Sequence, residues 1–293
     1  MGPDLGRRQF LLLGAGALVA GCSEGSAHAP TPSRRSTGPS TTVSGSPSAA
    51  PPPLPRVTRW HADPRDVEPA AKRAAVRTIE RRGNTRRSAL QVLDAQYGGI
   101  LSSSASVLVV CRSWTRAPSG AVRPGGATYD VRLVRSGSGW RVVAVHPSRP
   151  GPPARHVSGA ARRVLRHPRI DLPPASRADV LSGQVHDSVL TAMLGLAHRY
   201  TLGVSVVRSG HPLHVFGTTR LSDHPQGRAF DTWRIDGHPV VAGRTPRALV
   251  VGYMEAAAAA GSYNVGGPYL LGSAPQFFSD ATHHDHVHAG FAS

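Results

Sequence analysis

Two short segments far apart in the chain constrain it most: Ser222-Asp223-His224-Pro225-Gln226-Gly227-Arg228-Ala229-Phe230-Asp231 and Thr282-His283-His284-Asp285-His286-Val287-His288. Eight of the 15 histidines fall between His211 and His288, four of them within residues 283–288. Arg228 to Trp233 has the alternation of a strand, so Ala229 and Asp231 share a face and the small Ala229 leaves space in front of the carboxylate. Gly227 permits a turn before that strand, across which His224 can swing toward Asp231. On a C-terminal strand His286 and His288 project to one face, while Val287, Ala289 and Phe291 pack the other. Two strands therefore offer a histidine, an aspartate and one or two further histidines to a common point, and the fold must bring them side by side. Three N/O ligands with a fourth position open to water form the arrangement of a catalytic zinc. A histidine-rich tail taken alone also fits a loose surface metal buffer.

The N-terminus reads as an export segment. Arg7-Arg8 precede Gln9-Phe10-Leu11, an apolar stretch runs from Phe10 to Ala20, and Val19-Ala20-Gly21 lead to Cys22. This stretch is too short for a bilayer core of roughly 30 Å, so residues 1–22 are expected to be a signal peptide. The RRQFL run resembles a twin-arginine signal, and LVAGC resembles a lipobox, which implies cleavage before Cys22 and a lipid on its sulfur. Without Cys22 only Cys111 remains, so an internal disulfide is excluded. Of the 35 residues 23–57, 27 are Ser, Pro, Thr, Gly or Ala. Such a segment cannot bury enough apolar surface to offset its ordering entropy and reads as a disordered tether, with a reach of order 100 Å.

Residues 58–150 read as a small α+β unit: a helix over Asp66 to Arg82 stopped by Gly83, strands at Ala105 to Trp114 and Ala127 to Arg135, and a hairpin through Gly137-Ser138-Gly139 into Trp140 to Val145. YDVRLVRSGSGWRVVAV resembles the end of a nuclear-transport-factor-like cone. No chemistry is evident in this half, and His61 and His146 read as ordinary histidines. After Pro150-Gly151-Pro152-Pro153 a second domain, 151–293, is expected, with helices at Ala160 to His167, His186 to Tyr200 (ended by Gly203) and Arg244 to Gly261, and a buried strand at Val204 to Arg208.

SDHPQGRAFD fits the SxHxxGxAxD motif of the zinc D-alanyl-D-alanine carboxypeptidases and related Hedgehog-type peptidases, and DHVH fits their closing HxH segment. The resemblance covers roughly residues 180–293 and implies an α+β fold with a central antiparallel sheet. It implies zinc ligands His224, Asp231 and His288, and places His283 and His286 where one branch closes with two further histidines. A base must move the proton of the zinc-bound water. His286, sharing a strand face with His288, is the choice. Asp285 is the second candidate, or a partner of a ligand histidine. His283 could stabilise an oxyanion, and His284 is expected to be exposed and idle. Where the family carries an SGYR-like stretch with a substrate-binding arginine, this chain has Ser209-Gly210-His211-Pro212. Arg208, with Ser222, is the expected substrate contact, and Arg220 the other arginine near the motif.

The implied function is an exported, membrane-tethered zinc peptidase acting on peptidoglycan stem peptides or cross-links. A non-catalytic wall-associated zinc module of the same fold is the alternative, and a metal-scavenging lipoprotein a third. The net charge of +17 lies mostly in residues 1–150, with 21 Lys+Arg against 8 Asp+Glu, whereas 151–293 hold 13 against 9. Export argues against nucleic acid, so anionic wall polymer or lipid headgroups are the fitting partners. Lys72 is the only lysine beside 33 arginines, a bias that suggests GC-rich coding.

Overall fold

The computed structural model describes residues 52–292; the signal segment, Cys22 and the tether through residue 51 lie outside the described residues. The fold is α+β, built on two sheets that belong to one unit.

Helix α1 (Pro69–Gly83) opens with proline, which suits the first helical turn, and ends with Arg81 and Arg82 near the negative end of its dipole. Its buried face, Ala71, Ala75, Val76 and Ile79, packs on an antiparallel sheet of β1 (Ser88–Ile100), β2 (Ser104–Arg116), β3 (Val122–Gly125), β4 (Thr128–Ser136) and β5 (Gly139–Pro147). The strands run in the order β1-β2-β4-β5, with β3 on β2. β1 carries irregularities at Val92/Asp94 and Tyr97/Gly99, and bulges of this kind re-aim side chains. β2 is buried on both faces: Val107, Val109 and Cys111 face α1, while Leu108 and Val110 pack on Val206 of the second half. That patch is the apolar seam between the sheets.

The second half contains α2 (Gly159–Arg166), β6 (Ile170–Asp171), α3 (Pro174–Leu181), α4 (Asp187–Ala197), β7 (Leu202–Val204), β8 (Ala229–Ile235), β9 (His238–Pro239), α5 (Arg247–Ala259), β10 (Asn264–Gly266), β11 (Phe277–Phe278) and β12 (Val287–Gly290). The Ser158 hydroxyl caps α2 by accepting from the Ala161 amide. The sheet order is β11-β10-β12-β8-β7-β6, with β9 on β8. Its centre is antiparallel, and its outer pairs β10·β11 and β6·β7 are parallel. Val287, Ala289 and Phe291 lie in the core against α4 and α5, as the alternation requires. Gly203 does not end a helix: α4 stops at Ala197, and Gly203 sits in β7, where a Cβ would fall 2.8 Å from that of Arg234. Among the described residues no helix is long and apolar enough to cross a membrane.

Candidate metal centre

Strands β8 and β12 pair with His288 directly opposite Asp231. The Asp231 backbone is fixed on its other side, its amide donating to the Val206 carbonyl and its carbonyl accepting from the Ser205 amide. His224 reaches the same point from the tight turn before β8, where the Gly227 amide donates to the His224 carbonyl at 2.8 Å. Gly227 has φ +72, and a Cβ there would fall 2.0 Å from the Gln184 carbonyl oxygen, so the turn requires glycine on both counts.

The result is a triangle of candidate donor atoms. His224 Nε2, Asp231 Oδ1 and His288 Nδ1 lie 3.1 Å from one another along each edge. A tetrahedral ion with bonds of 2.0–2.1 Å needs ligands about 3.3 Å apart, so the residues fit. The donor chemistry fits as well. His224 Nδ1 donates to the Val207 carbonyl at 2.8 Å, which leaves Nε2 with its lone pair. Burial would raise the Asp231 carboxyl, but His224 and His286 hold it well below the usual carboxylate range. Burial pushes His288 down to about 4, against the opposing pull of Asp231, so at neutral pH its ring is uncharged. Three electron pairs thus converge in a buried place, which suits a metal ion.

The other predicted residues surround this triangle. His286 is 2% exposed, its Nδ1 is 2.7 Å from Asp285 Oδ1, and its Nε2 is 3.9 Å from Asp231 Oδ2. Burial would lower this ring's pKa, but Asp231 and then Asp285 raise it. Asp285 is occupied elsewhere: Oδ1 holds His286 and Oδ2 lies 2.5 Å from Lys72 Nζ. It therefore positions the base candidate and faces neither the ligand triangle nor a ligand histidine. His283 lies in the loop before β12, its Nδ1 2.8 Å from Asp280 Oδ1 and its ring 5.1 Å from that of His286. Ser222 is buried 3.3 Å from His211 Nδ1.

Two expectations are corrected. Arg208 does not reach the site, because its guanidinium donates to the Pro150 carbonyl at 2.8 Å and its backbone amide to Asp179. The exposed arginine beside the site is Arg220. His284 is neither exposed nor idle: it is 7% exposed, its Nε2 accepting from the Val67 amide at 3.0 Å and its Nδ1 donating to the Ala281 carbonyl.

Sequence reasoning also missed His211, which stacks on His224 with ring centroids 4.2 Å apart and brings a third donor near His224 and Asp231. Its only signal was its place just before Pro212, inside the altered SGYR-like stretch. Burial, reinforced by His224, keeps its pKa well below the ordinary value. The larger omission is the first half of the chain. Gln96 of β1 donates from Nε2 to Asp231 Oδ2 at 2.6 Å. Lys72 of α1, 2% exposed, bridges Asp66 and Asp285 at 2.5 Å each. Asp66, His284 and Asp285 form a second convergent group, and the lysine ammonium supplies its cation.

A cleft of about 630 Å³ opens onto the triangle. Residues 97–101 at the end of β1 form one wall, and Phe216, Arg220 and Phe278 line others. Histidine and carboxylate groups of the chain thus converge in an arrangement able to bind a metal ion at the base of a cleft. Comparisons with protein-family models, with curated proteins and with solved structures find no match to the chain.

Proposed function

We propose that the protein is an exported zinc metallopeptidase of the D-alanyl-D-alanine carboxypeptidase and Hedgehog-type class, acting on peptidoglycan stem peptides or cross-links. The observation that carries this reading is the 3.1 Å triangle of His224, Asp231 and His288 with the His286 ring held beside it by Asp285.

His224 Nε2, Asp231 Oδ1 and His288 Nδ1 would hold the ion. When bound, zinc supplies a water of lowered pKa and polarisation of the scissile carbonyl. His286 Nε2 takes the proton of the attacking water and returns it to the leaving amine. Its Nδ1 stays on Asp285, which fixes the ring and stabilises its charged form. The Asp231 carboxylate is the first of the two acidic groups that raise His286, and a cation held in the triangle would offset its charge. His283 faces the cleft where a developing oxyanion would need a donor. Arg220 is the cation available at the cleft for a substrate carboxylate, taking the part the resemblance gave to an arginine at Pro212.

The signal segment and tether belong to the same reading: a lipid on Cys22 would hold the enzyme at the membrane, facing the wall. The Arg208 contacts with Pro150 and Asp179 favour one other reading, a zinc module that binds wall peptides without cleaving them. Incubating the zinc-loaded protein with D-alanyl-D-alanine-terminated stem peptides and cross-linked muropeptides, with products followed by mass spectrometry, separates the two. Release of D-alanine or of an uncross-linked product supports the peptidase. Binding without turnover supports the module.

A further inference from the structure

We propose that Gln96, supplied by the first sheet, is a positioning residue of the metal centre, so that the site is complete only with the half of the chain that carries none of its ligands. This rests on the metal-centre reading above. Asp231 has two oxygens, and an ion in the triangle needs only Oδ1. The second oxygen is the 2.6 Å acceptor of Gln96 Nε2, across a sequence separation of 135 residues. Gln96 itself is wholly buried. Its own Oε1 accepts from the Ser205 hydroxyl. The carboxylate, an acceptor only, fixes the amide with its nitrogen toward Asp231, and the Ser205 hydroxyl holds the far end. The amide would withhold Oδ2 from a bound ion, leaving Oδ1 in the triangle and Asp231 a one-oxygen ligand.

The local structure of β1 is arranged around this residue. Its two irregularities, at Val92/Asp94 and Tyr97/Gly99, flank position 96, and Leu108 and Val110 of the adjacent β2 hold the sheet to Val206. The chain thus builds a carboxylate partner into a different sheet from the ligands. Lys72 makes the second tie of this kind, from α1 to Asp285.

Hydrogen-bond partners of metal ligands typically account for 10- to 100-fold in metal affinity. The test is the zinc dissociation constant of the full chain, measured by competition with a fluorescent chelator. Gln96→Met, close in shape but unable to donate, is expected to weaken zinc binding at least tenfold. Ser205→Ala, which frees only the far end of the amide and leaves a folded protein if Gln96→Met does not, is expected to weaken it in the same direction by about threefold to tenfold. Leu133→Ala, a cavity in the core of the same sheet at a residue that lines neither the triangle nor the cleft, separates this effect from general destabilisation and is expected to leave zinc affinity within about threefold. Wild-type zinc affinity in Gln96→Met or in Ser205→Ala, or an equal loss in Leu133→Ala, overturns the proposal. Failure of the wild-type chain to bind one zinc overturns the metal-centre reading itself and is distinguishable from either result.

Discussion

The ammonium of Lys72 lies 2.5 Å from Asp285 Oδ2, an ion pair buried between helix α1 of the first half and the segment entering β12 of the second. Burial would raise Asp285, but Lys72 first, and then His286 and His284, hold its carboxyl far below the ordinary value of about 3.9. A depressed carboxylate contributes stability that is present above its unfolded pKa and lost as pH falls toward its folded one. Lys72→Met, which leaves the buried carboxylates of Asp66 and Asp285 without their cation, is expected to cost about 3–5 kcal/mol at pH 7. At pH 3 the gap to the wild type is expected to narrow by about 1 kcal/mol, because the wild-type protein begins to lose this contribution. Urea unfolding at the two pH values measures it; a gap of equal size at both contradicts the account.

His286 and the ligands are separable by substitution. His286→Gln is expected to keep one zinc per chain while lowering kcat on a D-alanyl-D-alanine stem peptide by about 10²–10⁴-fold. Asp285→Asn leaves the ring present but loosely held, so a smaller fall in kcat is expected. Metal analysis beside a turnover assay reads both. Full turnover in His286→Gln would assign the proton transfer elsewhere.

Arg220 and Arg208 are expected to part company. Arg220 is exposed on the cleft wall, so Arg220→Ala should raise KM for a carboxylate-terminated peptide about tenfold and leave the melting temperature unchanged. Arg208 is a structural tie to Pro150 and lies beside Asp179, so Arg208→Ala should lower the melting temperature and leave KM within about twofold. The reverse pattern would return the substrate contact to Arg208.

Gly99 closes the cleft wall. Its φ is +154, and a Cβ there would lie 2.0 Å from that of Phe216, on the loop that carries Arg220. Gly99→Ala must strain the backbone or displace the loop, with an expected loss of about 2 kcal/mol. A raised KM with unchanged zinc affinity is the accompanying signature. A variant matching the wild type in melting temperature and KM would show that the loop moves freely.

The His224, Asp231 and His288 triangle was legible because it is written in local periodicity. Alternation put Asp231 and His288 on facing strands, and Gly227 marked the turn that returns His224. Helices α1, α2 and α4 followed from apolar spacing for the same reason, and α5 from its alanine run. Strand β1 was not legible, since Gln91, Asp94, Gln96 and the Gly98-Gly99 pair interrupt its alternation. Those interruptions include the residues that reach across the seam to Asp231 and leave room for Phe216. Sequence SVLVVC is apolar at every second position on both faces, which is the mark of a strand covered on both sides, and it was a sign that the two halves pack together. Lys72 was visible only as a compositional oddity, because an ion pair with a residue 213 positions away leaves no periodic trace. The short strands β6, β9, β10 and β11 carry too few residues for a period to register.

Zinc content together with X-ray absorption on the full chain tests the central claim most directly. After chelation and reloading, one zinc per chain bound by two imidazole nitrogens and a carboxylate oxygen at about 2.0–2.2 Å is predicted, and it should be lost in the His224→Ala, Asp231→Ala, His288→Ala triple variant. A chain that takes up no stoichiometric zinc, or a triple variant that keeps it, would contradict the account.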